Sequence, residues 1–376
     1  MRSGLMRSDI EDRIGELVDT LFVNIPSGVG SARKDLKLSQ SEMKQVLIRG
    51  AGWAVERGYG ASHDLTYIEA EGCIPGADPG RVSKRAMDRG KPQLGTLGSG
   101  NHFVEVGYVD EVFAPDKADA LGLEKDRVTV IVHTGSRGLG HQVCDDHIRV
   151  MLEAARKHNI ELPDRQLCCA PVNSQEGQNY LAAMAAAANF AFANRQIITH
   201  WVRETFARVL GRDVGLSLVY DVCHNIAKIE SHTVEGKNRR LCVHRKGATR
   251  AFPPGHPEIP LDYRRIGQPV LIPGDMGRYS YVLVGTQKAL EETFGSTCHG
   301  AGRLMSRGQA KKVAKGRAII QEMADRGIYV RGASKGTIVE EISEAYKDVD
   351  DVVRVVHGAG ISEMVVKLRP LGVIKG

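Results

Sequence analysis

Apolar positions along the chain recur in two patterns, one typical of helices and the other of strands. Helical spacing, alanine content and capping residues predict helices over four stretches: residues 9–21, 40–57, 178–210 and 308–326. A further helix is expected to end near His158. The apolar pattern weakens between residues 64 and 90, so that part is expected to be mostly helix and loop.

Extended apolar or alternating runs separate these helices. They predict strands in four places: residues 102–106, 128–132, 216–223 and 270–285, the last of them two strands joined by a tight turn. Each of the first three runs has a histidine at one edge: His102, His133 and His224. One such histidine is more often a satisfied core residue than a ligand. Three histidines in the same context favour a metal centre.

A fourth histidine stands alone among small residues. His299 lies between Cys298 and Gly300, so its imidazole has little steric protection and a ligand can approach the backbone closely. If a helix begins here, Arg303 and Arg307 lie on the same side as His299. This arrangement suits an anion site with a histidine nucleophile. The alternative is a glycine-rich turn with an incidental histidine.

Composition narrows the classes of function. The 376 residues are 42% hydrophobic and 26% charged, which is typical of a soluble globular protein, and we expect it to be cytoplasmic. Seven cysteines without a CxxC pair exclude a disulfide framework and a zinc ribbon. A net charge of +6 permits a polyanionic partner, while an aromatic content of 5% argues against a base-stacking surface.

Two places carry cations suited to phosphate. Arg137 follows His133 in a glycine-rich loop at a strand end, and its forked guanidinium matches phosphate geometry. Arg245, Lys246 and Arg250 lie together beside a turn. We infer from charge that all four contact phosphates. The alternative for the second group is a solvated basic hairpin.

Five motifs, in this order, carry a resemblance to a known family: Gly100–Glu105, His133–Gly138, Asp221–Asn225, Pro273–Gly277 and His299–Arg303. With them the chain resembles the RtcB family of GTP-dependent RNA ligases over nearly its whole length. The resemblance implies a mixed α/β (α+β) fold, with strands converging on a metal pocket, helices outside and the alanine-rich helix supporting one side. Because the motifs run from residue 100 to the C-terminus, we expect residues 1–376 to form one catalytic domain.

The resemblance also implies the site. His299 matches a histidine that becomes guanylylated, and His102, His133 and His224 match three ligands of a two-manganese centre. The positions that match contacts to GTP are Asn101, His102, Phe103, Val104, Glu105, His224, Asn225, Pro273, Gly274, Asp275, Met276, Ser280, His299, Gly300, Ala301, Gly302, Tyr346 and Lys375.

The implied reaction joins RNA 3′-phosphate or 2′,3′-cyclic phosphate ends to 5′-hydroxyl ends, in tRNA splicing or RNA repair. RNA is therefore the expected partner. An activating protein is compatible with the resemblance, no membrane partner is expected, and a monomer is favoured. Two alternatives are a non-ligating RNA- or nucleotide-binding paralogue and a metal-dependent cyclic phosphoesterase. The complete motif around His299 argues against both, because neither needs a nucleotide-accepting histidine.

Two features depart from the family pattern. An Asp-x-x-Cys-Gly segment, which supplies a carboxylate and a thiolate to the metals, has no counterpart here, so the chain is expected to be shortened at its N-terminus. Either the true protein is longer, or this is a shortened paralogue with fewer metal ions. The second departure is Asp275, where a small hydroxyl residue is expected. A carboxylate there can accept from guanine but repels a triphosphate.

Overall fold

A computed structural model describes all 376 residues as a mixture of helices and strands. The eleven strands are β1 (Arg2–Met6), β2 (Phe103–Val112), β3 (Arg127–His133), β4 (Asn225–Val234), β5 (Lys237–Lys246), β6 (Ala248–Arg250), β7 (Pro269–Ile272), β8 (Ser280–Gly285), β9 (Ser296–Cys298), β10 (Tyr329–Gly332) and β11 (Ser362–Lys375). The twelve α-helices are α1 (Ile14–Asn24), α2 (Gln40–Arg49), α3 (Ala51–Glu56), α4 (Lys84–Gly90), α5 (Pro115–Leu121), α6 (Arg137–Lys157), α7 (Gln175–Leu210), α8 (Gln287–Thr293), α9 (Arg307–Val313), α10 (Ile319–Ala324), α11 (Lys335–Glu340) and α12 (Val349–Gly358).

One seven-stranded sheet organises the molecule. Its order is β1-β3-β2-β11-β8-β7, with every neighbouring pair antiparallel, and β10 adds to β11 in parallel. The long strand β11 lies at the centre, so it joins the part of the chain near residue 103 to the part near residue 280. Two small ribbons, β4-β5 and β6-β9, lie off this sheet.

Apolar side chains cover both faces of the sheet. On one face Val104 and Ile374 pack with Ile198 and Phe206 of α7. The opposite face contributes Val109, Val282 and Leu368 to a second cluster, together with residues of α5 and of the segment before β7. Both faces of β2 and β11 are buried over residues 103–109 and 370–375.

Helix α7 is the long alanine-rich helix that the sequence predicts. It begins at Gln175, where the Ser174 side chain accepts from the Gly177 backbone N–H, and it ends before Gly211 in the left-handed conformation. Its alanines let α2, α3 and α6 pack closely against it. No helix of the molecule, this one included, combines the length and the apolar content that crossing a membrane requires.

Three predicted elements differ from the structure. The helix expected over residues 40–57 is two helices, α2 and α3, because Gly50 has a φ of +53° and any side chain there would collide with the Gly72 carbonyl. The helix expected over 308–326 is likewise interrupted between α9 and α10. The prediction of a strand over residues 216–223 was wrong, because the segment makes only two isolated β-bridges, through Ser217 and Asp221.

Candidate metal and nucleotide site

Three histidines meet where three strands begin or end. His133 is the last residue of β3, His224 directly precedes β4, and His299 directly follows β9. One ring nitrogen of each lies within 4.8 Å of the other two. The two Nε2 atoms of His133 and His224 are 3.1 Å apart, and the His299 ring stacks on that of His224 with 3.7 Å between centroids. This histidine trio is the only group of potential metal ligands that the structure brings together.

His102 lies beside the trio without joining it. Its ring centroid is 5.9 Å from that of His133. The sequence predicts His102, His133 and His224 as one ligand set. The structure brings the second and third of these together with His299, which is the predicted nucleophile, and leaves His102 at the edge.

Burial keeps these imidazoles neutral. Removal from water lowers the pKa of His102 and of His299 to about 3 and that of His224 to about 4. Burial also lowers the pKa of His133, and the neighbouring imidazoles lower it further. A neutral ring keeps a free lone pair at physiological pH, which both a metal ligand and a nucleophile require.

The trio fits a divalent transition metal. Two nitrogens that each bind one ion at about 2.1 Å lie about 3.0 to 3.4 Å apart, which matches the observed separation of the Nε2 atoms. Imidazole nitrogen suits zinc, copper, iron and nickel, and its affinity for manganese is lower.

Two polar residues of α7 hold the loops that carry the site. The Asn194 side chain accepts from the backbone of Gly95 and Thr96, at 2.7 and 3.1 Å, and donates to the carbonyls of Thr96 and Gly135. Its neighbour Arg195 binds both carboxylate oxygens of Asp221, at 2.7 and 2.8 Å. These contacts connect one helix to the loops before His102, after His133 and before His224.

A cavity of about 310 Å³ adjoins the trio, and His133 and His299 belong to its wall. We call it the nucleotide cavity, after the predicted contacts that line it. Most of the predicted nucleotide contacts line it: Asn101, Phe103, Glu105, Pro273, Gly274, Asp275, Met276, His299, Gly300, Ala301, Gly302, Tyr346 and Lys375. The motifs from the two halves of the chain thus face one another across a single space.

Polar groups in this nucleotide cavity have partners within the protein. Burial raises the pKa of Glu105 to about 8, and Ser280 donates to its carboxyl group at 3.2 Å. Asp275 accepts from the Ser343 hydroxyl and from the Gly277 backbone N–H. At the opposite side the Lys375 ammonium lies 3.3 Å from a carboxylate oxygen of Glu341.

Comparison with known proteins identifies the family of the chain. The family described as tRNA-splicing ligase RtcB matches residues 1–376. The chain belongs to the RtcB family. Proteins named tRNA-splicing ligase RtcB from Archaeoglobus fulgidus, Pyrococcus abyssi and Methanococcus maripaludis are 59%, 56% and 52% identical to it, and each alignment covers 100% of this chain. The chain spans 78%, 41% and 79% of their respective lengths.

Not every position that the RtcB resemblance implied faces the nucleotide cavity. Val104 is buried in the apolar core, and Ser280 lies behind Glu105. His224 and Asn225 line a larger neighbouring cavity of about 470 Å³. His133 and His299 belong to the walls of both this cavity and the nucleotide cavity. His102 lies outside both linings.

Two of the four predicted phosphate contacts are wrong for this RtcB-family chain. Arg245 and Arg250 are each only 1% exposed. Arg245 pairs with Glu230 at 2.6 Å, while Arg250 binds Gln268 and Glu258. Glu230 lies 15 residues from Arg245 and Glu258 lies 8 residues from Arg250, so both partners are outside the basic cluster and were not recognised as partners. Arg245 and Arg250 therefore stabilise the fold and do not reach RNA.

The other two predicted cations remain accessible. Lys246 is exposed at the end of β5 and lines the larger cavity. Arg137 is half-buried at a φ of +53°, and it donates to the Thr96 hydroxyl at 3.1 Å but has no carboxylate partner. Burial lowers its pKa to about 10, so it stays charged and available to an anion.

Some residues of the site have no signal in the sequence. Glu341 belongs to no motif, yet it accepts from Arg303, Tyr346 and Lys375. The helix considered after His299 is also absent: residues 300–306 are irregular and α9 begins at Arg307. Arg303 consequently turns towards Tyr346, to whose hydroxyl it donates at 2.8 Å, and does not lie beside the histidine.

Proposed function

We propose that this chain is the catalytic part of an RNA ligase that joins RNA 3′-phosphate or 2′,3′-cyclic phosphate ends to 5′-hydroxyl ends, using GTP and manganese. The observation that carries the proposal is the position of His299, a neutral histidine shared by the metal-binding trio and the nucleotide cavity. Its relatives are named tRNA-splicing ligases, and broken or spliced tRNA is the substrate class we propose here.

In the proposed reaction His299 acts as the nucleophile. One of its ring nitrogens forms a bond to the α-phosphorus of GTP, and the bond to pyrophosphate breaks. His299 then passes GMP to an oxygen of the RNA 3′-phosphate and returns to the free imidazole. Finally the 5′-hydroxyl oxygen bonds to that phosphorus and loses its proton, and GMP leaves. A cyclic phosphate is first opened by water to the 3′-phosphate.

His133 and His224 would hold the metal, with His102 as the predicted further ligand. A bound divalent ion neutralises charge on phosphate oxygens and so stabilises the transition state of each displacement. His299 stacks on His224 and would lie beside an ion held there. Proximity to a cation also disfavours protonation of His299 and keeps its lone pair available.

The nucleotide cavity has features suited to guanine. Guanine presents N–H donors on its base-pairing edge that a carboxylate can accept, and Glu105 is the buried carboxyl group on the wall. Asp275 and Glu341 are further acceptors, whereas Lys375 can donate to a base oxygen or a phosphate. The wall has three carboxyl groups and three cations, the cations being Arg303, Arg307 and Lys375. We place the base on the Glu105 side and the phosphates towards His299 and these cations.

Intact-mass measurement tests the proposal directly. The purified protein is incubated with GTP and MnCl₂, and we expect a gain equal to one GMP. The adduct should be lost in His299→Ala and retained in His357→Ala, a variant at an exposed histidine of α12. An unmodified mass, under conditions in which Mn²⁺ demonstrably stabilises the fold, would show that the ligase proposal is wrong.

A further inference from the structure

The β4-β5 hairpin begins and ends at the site and extends away from it. Its first residue, Asn225, follows His224, and its last residue, Lys246, pairs with Asn225 in the register. Each strand has 10 residues, so the ribbon is about 34 Å long at the usual rise of about 3.4 Å per residue. The hairpin therefore connects the histidine trio to a distant part of the surface.

The two faces of the hairpin differ in charge balance. Side chains alternate along each strand, so Ile226, Glu230, His232 and Arg245 share one face. This inner face packs on the body of the protein and contains all three ion pairs of the hairpin: Lys228 with Glu69, His232 with Glu230, and Arg245 with Glu230. Near the site the charges of this face are thus paired, whereas Lys237 and Arg239, at the far end of the hairpin, are exposed and have no ion pair.

The outer face has cations and no carboxylate. It consists of Asn225, Ala227, Ile229, Ser231 and Thr233 on β4 and of Asn238, Arg240, Cys242, His244 and Lys246 on β5. Arg240, His244 and Lys246 are exposed, and none of them takes part in an ion pair. The remaining polar residues of this face are amides and hydroxyls, which also bind phosphate and sugar oxygens.

This outer face continues into the catalytic cavity. Lys246, His244 and Asn225 line the larger cavity of about 470 Å³, whose wall also contains the histidine trio. Arg240 lies six residues before Lys246, which places it about 20 Å further along the strand. A flexible polyanion held at His299 can therefore follow the same face outwards over several phosphates.

We infer that the outer face of the β4-β5 hairpin binds the backbone of the RNA strand that is being joined. This inference rests on the proposed function, because it assigns the path of the substrate to the site described above. Cations without partners attract phosphates, and the absence of aromatic side chains from this face leaves no surface on which bases stack. The hairpin accordingly binds RNA without regard to its sequence.

The decisive variant is Arg240→Gln, with Arg239→Gln as its matched control. The two arginines are neighbours on β5 and both are exposed. Arg239 lies opposite His232 in the strand register and so belongs to the other face. Both substitutions remove one charge from an exposed strand position, so a general effect of net charge changes both variants equally. Circular dichroism and thermal unfolding establish that each variant is folded.

Binding is measured by fluorescence anisotropy, without GTP, using a single-stranded RNA dodecamer with a 3′-phosphate over a range of salt concentrations. Losing one phosphate contact should reduce the slope of log K against log salt by about 0.7 and weaken binding about fourfold near 0.15 M salt. We expect this for Arg240→Gln and a larger loss for Arg240→Glu. Arg239→Gln should bind as the unaltered protein does.

A dinucleotide with a 3′-phosphate separates this inference from the proposed function. It is too short to reach from His299 to Arg240, so Arg240→Gln should bind it normally and should form the GMP adduct normally.

Equal loss in Arg239→Gln and Arg240→Gln, or no loss in Arg240→Glu, would overturn the assignment of the hairpin. Equally strong displacement of the dodecamer by polyglutamate would overturn a nucleic-acid site. Absence of the GMP adduct with intact dodecamer binding would instead contradict the ligase reaction alone.

Discussion

At the scale of single residues, the buried ion pairs around the site determine how it responds to acid. Glu69 is fully buried and accepts from the Cys223 backbone N–H, directly before His224. Burial alone would raise the pKa of Glu69, but Lys228 at 3.0 Å and Arg250 outweigh it and lower the pKa to about 2. One carboxylate thus helps to position a metal-binding loop.

Glu69 should therefore make stability depend on acidity. Because its pKa is lower in the folded state than in the unfolded state, its contribution is complete above about pH 4.5 and is lost as the pH falls towards 2. A difference of this size corresponds to a free energy on the order of 3 kcal/mol. Urea unfolding at pH 7 and pH 3 should show Glu69→Gln losing less stability on acidification than the unaltered protein.

The partly exposed carboxylate Glu322 provides the comparison for this experiment. It pairs with Arg317 at 2.6 Å on the surface, where solvent screens the interaction. Glu322→Gln should follow the acid dependence of the unaltered protein. If Glu69→Gln also follows it, the ion pairs of Glu69 do not contribute to acid stability.

The buried arginines show what the sequence left undetermined at this scale. Arg245, Lys246 and Arg250 are near neighbours with the same charge, yet only Lys246 faces solvent. Strand alternation places Arg245 on the opposite side from Lys246, and the carboxylate that neutralises it is Glu230 on the neighbouring strand. Exposure of a cation depends on such partners, and no local pattern reveals them.

At the scale of elements, helix α7 supports the loops of the site. Asn194 hydrogen-bonds to four backbone groups near His102 and His133, and all of them are distant in sequence from the helix.

The substitution Asn194→Leu keeps the side-chain volume but leaves buried backbone donors and acceptors without partners. We expect a loss of stability on the order of 3 kcal/mol, measured by urea unfolding, and a lower yield of GMP adduct.

Asn179 on the same helix is the control for this substitution. Its amide contacts only the side chain of Gln175, near the exposed start of α7. Asn179→Leu should leave both stability and adduct formation nearly unchanged. If Asn194→Leu were as stable and as reactive as Asn179→Leu, the helix would not position the loops.

Elements with strong local signals were predicted well. The alanine-rich helix, the strand before His133 and the strand-turn-strand at residues 270–285 are confirmed as α7, β3 and β7-β8. The failures arise where tertiary contacts decide. Gly50 interrupts a helical pattern because Gly72 approaches it, and residues 216–223 are apolar because they are buried, although they pair with no complete strand.

At the scale of the whole molecule, metal binding should stabilise the fold. His133 and His224, the proposed ligands, come from remote segments, so an unfolded chain cannot present them together. An ion that binds only the folded state raises its stability. At 100 times the dissociation constant the gain is about 2.7 kcal/mol. Thermal unfolding with added MnCl₂ should show a higher Tm, and His133→Ala should abolish the increase.

His141→Ala controls for histidines outside the trio. His141 lies on the surface of α6, with 70% of its side chain exposed. We expect this variant to keep the full increase in Tm on adding MnCl₂. An equal increase in His133→Ala would show that the ion binds elsewhere on the molecule.

The sequence predicted the site better than it predicted how the site is assembled. The motifs identify most residues of the nucleotide cavity and all members of the histidine trio. They do not show that His299 joins the trio while His102 stays at its edge, because this depends on ring orientation. Glu341 was not predicted because its importance comes only from three partners that folding brings to it.

The central position of β11 has a consequence for how the protein folds. This strand pairs with β2 from the other end of the chain, and the Lys375 ammonium reaches the Gly100 carbonyl across 275 positions. Contacts between such remote segments require closure of a very large loop, which slows folding. The helices around α7 can form from local contacts before this closure. The catalytic pocket, which needs both segments, is therefore expected to form among the last parts of the structure.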